Sequence, residues 1–270
     1  MFGLQRWQVE NTVKLIDEGN TIPFIARYRK EAHGTLDDQV LRELSEKLEY
    51  LRNLDKRREE ISASITAQEK MTPEIEAALE KASTLAEIED IYRPFRPKRR
   101  TRASIAKEKG LEPLADAIFA QTFNSTSPTE LAADYIDAEK GVETVEDAIN
   151  GAMDIIAENI SDDADIRRRL RSLFTVAGVL QSRAADSEKE SVYTMYYEYD
   201  EPVNKIAGHR VLAVNRGENE GFLKVGIDVD RIKALNIINA NVLSDNGSAC
   251  TDTVRDAAAD AYDRLIFPSV

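Results

Sequence analysis

Cysteine and histidine are scarce in this sequence. Its 270 residues include one cysteine, Cys250, and two histidines, His33 and His209. A single cysteine cannot form a disulfide within the chain or supply several thiolates to a zinc ion. Neither histidine has a second histidine or a cysteine at ligand spacing. We therefore expect no metal site and no other cofactor.

The sequence signatures of common enzyme classes are missing as well. There is no GxxxxGK[ST] phosphate loop, GxGxxG loop, HExxH metal motif or GxSxG nucleophile motif. Asp228 and Asp230 would share one face of a strand, but a solvated sheet face explains this spacing better than a metal-binding pair. We predict no catalytic residues and no enzymatic activity.

Long hydrophobic runs are also absent. No stretch approaches the roughly 20 consecutive apolar residues that a membrane-spanning helix requires. The N-terminal residues lack the basic-then-apolar order of a secretion signal, and the low cysteine content favours a reducing compartment. These absences predict a cytoplasmic protein without a membrane partner.

Charge is abundant and unevenly distributed. The formal net charge is −13. Residues 1–110 hold 21 lysines and arginines against 20 acidic residues, whereas residues 111–270 hold 15 against 29. Because an acidic surface repels phosphates, binding of a polyanion is expected in the first part of the chain.

Apolar residues recur at helical spacing through most of the chain. The clearest pattern runs from Leu36 to Ile65 in steps of three and four. It predicts a helix of about 30 residues, about 45 Å long, with Thr35 as its cap. The preceding residues 21–34 are predicted to form a connector, with His33 in a turn.

Further helices are predicted where a cap residue precedes a helical pattern, and these caps are Thr72, Thr84, Thr101, Ser127 and Thr144. Residues 223–229 change to the alternation of a strand. The aromatic segment 193–202 is predicted to pair with that strand, although a short helix fits it too. The fold class is therefore mainly α, an elongated assembly of helices with one long central helix and a small β element near 193–230.

Positive charge is concentrated in RPFRPKRRTR, residues 93–102, which we call the basic segment. It contains six lysines and arginines, two prolines and no acidic residue. Arginine presents a planar fork of donors to phosphate oxygens, and proline restricts the backbone between the flanking helices. The predicted phosphate contacts are Arg93, Arg96, Lys98, Arg99, Arg100 and Arg102, assisted by Arg27, Arg29 and Lys30.

Composition alone leaves three explanations of the basic segment open. It binds the backbone of a nucleic acid, with Tyr92 and Phe95 available to stack on unpaired bases. Alternatively, it docks onto acidic residues of this chain or of a protein partner. In the third explanation it lies solvated between two helices.

Three stretches together resemble one known family. They are LIDEGNTIPFIARYRKEAHGTLDDQVLREL at 15–44, DIYRPFRPKRRTRASIAKEKGLEPLA at 90–115 and HRVLAVNRGENEGFLKVGIDVD at 209–230. Their order and spacing resemble the N-terminal half of the Tex family. These are bacterial transcription accessory proteins, similar to a eukaryotic elongation factor that also acts as a histone chaperone.

The resemblance implies a helix-turn-helix-like N-terminal region built around the long helix. It also implies a longer parent protein with an RNase-H-like domain of the YqgF type, helix-hairpin-helix motifs and a C-terminal S1 domain that is the principal RNA-binding module. Since this sequence contains none of those parts, we expect it to be an N-terminal fragment, and no nuclease residue is carried over to it.

The resemblance and the residues together give one hypothesis and one alternative. The hypothesis is a non-catalytic scaffold that binds RNA or DNA without reading its sequence, with RNA polymerase or other transcription factors as further partners. In the alternative, a protein-interaction scaffold, the basic segment docks onto acidic surfaces of downstream domains or of the transcription machinery. The predicted regions are a Tex-like helical region at 1–110, a helical region at 111–190, a small α/β element at 191–230 and a helical segment at 231–270 that leads toward the RNase-H-like domain.

Overall fold

A computed structural model describes residues 3–97, 100–123 and 126–270 of the chain. It contains two compact units, which we call the N-terminal unit, Met1–Tyr92, and the C-terminal unit, Arg93–Val270. The prediction of a mainly helical fold with one long helix and a small β element is confirmed. Within the described residues, no helix combines the length and the apolar character that a membrane crossing demands.

Six helices form the described part of the N-terminal unit. They are α1 Arg6–Asp17, α2 Ile22–Tyr28, α3 Lys30–His33, α4 Asp38–Ala67, α5 Pro73–Lys81 and α6 Leu85–Tyr92. The long helix α4 has 30 residues, as its apolar spacing predicts. Its buried side chains, Leu41, Leu44, Leu54, Ile61 and Ile65, follow that spacing, because one stripe of the helix faces the core.

Two local predictions for this unit are wrong. The cap of α4 is Asp37, whose carboxylate accepts from the N–H of Gln39 at 3.1 Å, while Thr35 has a left-handed φ of 59° and lies outside the helix. The predicted connector at 21–34 is instead mostly α2 and α3. Pro23 lies in the first turn of α2, where a missing N–H costs nothing, so the proline begins a helix there.

The C-terminal unit contains the remaining α-helices of the described residues, α7 Arg102–Glu108, α8 Glu112–Phe119, α9 Pro128–Ala133, α10 Val145–Asp162, α11 Ala164–Ala177, α12 Gly208–Asn219, α13 Arg231–Val242 and α14 Thr251–Asp260. Helix α10 is central, since it packs against α7, α8, α9 and α14. Its residues Ile155, Ile156 and Ile160 are fully buried. The predicted caps Thr101, Ser127 and Thr144 are confirmed.

A three-stranded antiparallel sheet completes the C-terminal unit. Its strands are β1 Val179–Ala184, β2 Glu198–Pro202 and β3 Leu223–Asp228, in the order β2-β1-β3. The strand prediction for β3 is confirmed, but the expected pairing of 193–202 with it is wrong. Both outer strands pair with β1, so Ser182 lies between Tyr199 and Val225.

Helix α12 covers β3 at close range. A Cβ atom on Gly217 would lie 2.6 Å from Cδ1 of Leu223 and 3.0 Å from Cγ of Tyr193. Glycine therefore allows the helix to approach the small core of this sheet, which is formed by Leu180, Tyr193, Tyr196, Val214 and Leu223.

Candidate nucleic-acid interface

The basic segment joins the end of α6 to the start of α7. A single 3₁₀ turn, Arg93–Phe95, follows α6 directly, because Pro94 and Pro97 cannot continue an α-helix. At the other end, the Thr101 hydroxyl accepts from the N–H of Ser104 at 3.0 Å, and the Ser104 hydroxyl accepts from the N–H of Thr101 at 2.8 Å. This capping box fixes the first turn of α7, which begins at Arg102.

Arg93 attaches the segment to the core of the C-terminal unit. Its Nε donates to Oδ1 of Asp162 at 2.9 Å, and the Asp162 side chain is 10% exposed. The pair lies in a cleft of about 280 Å³ that Ser161 and Leu265 also line. Because a charge-assisted bond of this kind is directional, Arg93 positions the segment, and its guanidinium is already engaged with a carboxylate.

Three other predicted contact residues, Arg96, Arg100 and Arg102, are exposed. Arg100 has Glu108 as its neighbour at 3.7 Å, but the two side chains are 74% and 66% exposed, so water screens their attraction. Arg96 and Arg102 form no ion pair with any residue that the structure describes. These guanidinium groups are available to an external anion. Lys98 and Arg99 lie outside the described residues.

The positive charge of Arg102 acts on the pKa of Asp154, an acidic residue of α10. Burial raises the pKa of Asp154, and the positive charges of Arg264 and Arg102 oppose this rise. Arg264 engages that carboxylate directly, at 2.9 Å. Asp154 therefore has a direct partner other than Arg102.

The assisting residues Arg27, Arg29 and Lys30 belong to the N-terminal unit, at the end of α2 and the start of α3. All three are exposed, and none forms an ion pair with a residue in the described ranges. The guanidinium carbon of Arg29 lies 5.4 Å from the centre of the Phe24 ring. The structure thus places the predicted contact residues in two clusters, one in each unit.

Sequence patterns did not identify Asp162 as a positioning residue. The next residue, Asp163, caps α11 by accepting from the N–H of Ile166 at 2.8 Å. Asp162 instead binds a residue 69 positions away in sequence. No local sequence signal marks a contact over that separation.

We expect the pair of Arg93 and Asp162 to be energetically coupled. A double-mutant cycle with Arg93→Gln and Asp162→Asn, measured by urea unfolding, should give a coupling of about 1–2 kcal/mol, because Asp162 is largely shielded from water. The same cycle on the exposed pair Arg100 and Glu108 should give about 0.3 kcal/mol. Equal values for both pairs would contradict the anchoring role of Arg93.

Two family models match the sequence. The description "Tex-like protein N-terminal domain" applies to residues 1–66, and "Tex central region-like" applies to residues 124–264. The second match covers more than half of the chain. The two matches lie on either side of the basic segment.

Individual relatives agree with these models. The chain is 42% identical to "Uncharacterized protein YdcI" of Bacillus subtilis, over 99% of this chain and 38% of the relative. It is 39% identical to "Transcriptional accessory protein Tex" of Neisseria gonorrhoeae, over 82% of this chain and 29% of the relative. The human "S1 RNA-binding domain-containing protein 1" is 31% identical over 84% of this chain and 23% of its own length. The chain thus spans less than two fifths of the length of these relatives.

Proposed function

The chain belongs to the Tex family of transcription accessory proteins, as part of their N-terminal portion, and we propose that it is a non-catalytic nucleic-acid-binding scaffold. In this proposal the basic segment contacts the phosphate backbone of RNA or DNA in the cytoplasm and reads no base sequence. Transcription factors or RNA polymerase are further partners of the whole protein.

One observation carries the proposal. Arg96, Arg100 and Arg102 project into solvent from a segment that contains no acidic residue, while Arg93 holds that segment against α10 through Asp162. The name of the human relative assigns RNA binding to an S1 domain, so it supports a nucleic-acid ligand for the longer protein and is not evidence about the basic segment. The excess of acidic residues in 111–270, 29 against 15 basic ones, makes this local positive charge informative, because an acidic surface repels phosphates.

The arrangement supports binding through counterion release. Each arginine that neutralises a phosphate releases condensed cations into bulk solution, and affinity therefore falls as the salt concentration rises. The anchor at Arg93, the two prolines and the capped start of α7 reduce the conformational freedom that the segment loses on binding. Backbone phosphates are the same for every base, so this mode gives affinity without sequence preference.

Neutralising the exposed arginines tests the proposal. We expect the triple variant Arg96→Gln, Arg100→Gln and Arg102→Gln to bind a labelled single-stranded oligonucleotide more weakly in fluorescence anisotropy titrations between about 50 and about 200 mM salt. The slope of log affinity against log salt should decrease in magnitude by about two, because each lost contact with a single strand removes about 0.7.

A matched control separates local contacts from net charge. Arg6, Arg216 and Arg255 are exposed and pair with their own acidic neighbours Glu10, Glu220 and Asp252. Changing these three arginines to glutamine alters the net charge by the same amount, and the salt slope should stay close to that of the unmodified chain. An unchanged slope in the first variant, or equal losses in both, would contradict the proposal.

The alternative is a protein-interaction scaffold. The bond between Arg93 and Asp162 favours this alternative, because a residue of the basic segment already binds a carboxylate there. Poly-L-glutamate is a suitable probe, since it presents carboxylates without bases or phosphates. If it displaces the oligonucleotide at equal charge concentration, an acidic protein partner is the better explanation. If the oligonucleotide stays bound, phosphate recognition is supported.

A further inference from the structure

Helix α2 carries two exposed aromatic rings on one face. Phe24 and Tyr28 are four residues apart, 37% and 58% exposed, and their ring centres lie 5.2 Å apart at an interplanar angle of 45°. Ile25, between them in sequence, is fully buried. The helix therefore uses Ile25 to attach to the core of the N-terminal unit and turns the two rings toward solvent.

Exposure of single apolar residues is common in proteins and does not by itself indicate a ligand. The surroundings of this pair are more specific. Residues 21–36 contain three cationic side chains, Arg27, Arg29 and Lys30, and one acidic residue, Glu31. None of the three cations forms an ion pair with a residue in the described ranges. Two flat rings thus lie beside positive charges that form no ion pair with a carboxylate in the part of the chain that the structure describes.

This combination matches the chemistry of an unpaired nucleotide. A base has a flat π face that stacks on an aromatic ring, and its phosphate is attracted to arginine or lysine. In a duplex the faces of the bases are already stacked on each other, so a ring on a protein surface cannot reach them. The guanidinium of Arg29 lies near the Phe24 ring, at 5.4 Å, which leaves Tyr28 as the more accessible ring.

We propose that Phe24 and Tyr28 form a stacking platform for the bases of single-stranded nucleic acid, with Arg27, Arg29 and Lys30 holding the adjoining phosphates. The platform is a contact site of the N-terminal unit, additional to the basic segment, and it rests on the proposed function because both sites take the same class of ligand. Stacking on the rings makes the binding selective for single strands, which phosphate contacts alone do not provide.

A protein partner could also occupy this surface. The cations Arg27, Arg29 and Lys30 make an apolar protein surface a poor fit. An apolar partner surface would leave three cations without compensation at the edge of the interface, whereas a nucleic acid supplies a phosphate for every base. An acidic protein would satisfy the cations. It would not require flat rings, because aliphatic side chains of similar size bury comparable apolar area.

The flatness of the rings provides the test. Tyr28→Leu and Phe24→Leu keep an apolar side chain and remove the π face. In the full chain, we expect Tyr28→Leu to weaken binding of a labelled oligodeoxyadenylate about tenfold, with a smaller loss for Phe24→Leu. The salt slope should stay unchanged, because no charge is removed. Tyr28→Trp should bind at least as tightly as the unmodified chain.

Two controls make the outcome specific. An abasic oligonucleotide of equal length keeps the phosphates without the bases, so Tyr28→Leu should not weaken its binding. Phe123 is an exposed aromatic residue in a stretch, 111–139, without lysine or arginine, and Phe123→Leu should leave binding of oligodeoxyadenylate unchanged. Equal thermal unfolding midpoints of the variants would show that folding is retained.

The binding measurements distinguish an error in the platform proposal from an error in the proposed role of the basic segment. If the arginine variants of the basic segment lose affinity while Tyr28→Leu binds like the unmodified chain, the platform is wrong and the proposed function stands. A tenfold loss that is equal for the abasic strand also overturns the platform. If the unmodified chain binds no single strand at all, both proposals are wrong.

Discussion

Replacing Ile156 with alanine should lower the free energy of unfolding of the C-terminal unit by about 2–5 kcal/mol. Ile156 is 1% exposed and lies on α10, which contacts α7, α8, α9 and α14. Truncation removes buried methyl and methylene groups and leaves a cavity that the surrounding structure closes only in part. Urea unfolding followed by circular dichroism, with the transition of each unit fitted separately, measures the change.

The chain contains a control with the same chemical change. Ile232, on α13, is 70% exposed, so Ile232→Ala removes the same atoms from a site already in contact with water. Its effect should stay within about 0.5 kcal/mol. Similar losses of unfolding free energy for the two variants would contradict the tight packing of Ile156 in the core. If Ile156→Ala does not fold, Ile156→Val should cost about 0.5–1.5 kcal/mol.

The long, regular elements of the fold could be predicted from sequence. Helix α4 has 30 residues, so its leucines repeat often enough for the helical period to be unmistakable. The caps at Thr101, Ser127 and Thr144 combine a hydroxyl with a partner three residues later, and the structure shows each reciprocal bond. In both cases the determining interactions lie within a few residues of one another.

The short helices and the pairing of the strands could not be predicted from sequence. Helices α2 and α3 have seven and four residues, which is too few for a helical period to show. Strand β1, VLQSRA, contains a buried serine, Ser182, so its alternation is not one of apolar and polar residues. Its place between β2 and β3 depends on pairing across the sheet, which no local pattern encodes.

The candidate site, like the fold, could be predicted from sequence only in part. Composition selected the basic segment, but it treated six cationic residues as equivalent. The structure separates Arg93, which is bonded to Asp162, from Arg96 and Arg102, which have no ion pair in the described part of the chain. This difference depends on the tertiary contact between Arg93 and Asp162, and it leaves Arg96 and Arg102 available to an external anion.

His33→Ala should lower the free energy of unfolding of the N-terminal unit by about 2–4 kcal/mol. The sequence suggested a simple turn residue, but His33 ends α3 and is fully buried. Its Nδ1 accepts from the N–H of Leu36 at 3.0 Å, and its Nε2 lies 3.2 Å from the carbonyl oxygen of Ile25. Alanine would leave a cavity and deprive the Leu36 N–H of this partner.

The two contacts also fix the form of the imidazole. A backbone N–H always donates, so Nδ1 must be the unprotonated nitrogen, and Nε2 carries the hydrogen that it donates to Ile25. His33→Asn offers an oxygen near the position of Nδ1, and His33→Gln offers an amide nitrogen near that of Nε2. Each should therefore recover part of the loss. His209, exposed at the start of α12, supplies the control, and His209→Ala should change stability by less than about 0.5 kcal/mol.

The bond to Ile25 connects this core histidine with the proposed platform. Ile25 precedes Tyr28 by one helical turn and is the buried residue of α2, so a bond to its carbonyl restrains the helix that carries both rings. The same carbonyl also accepts from the N–H of Arg29 at 3.0 Å, which keeps α2 helical when the imidazole is lost. His33→Asn should therefore weaken binding of oligodeoxyadenylate less than Tyr28→Leu does, while lowering stability more. The reverse order would mean that His33, and not the rings, determines binding at α2.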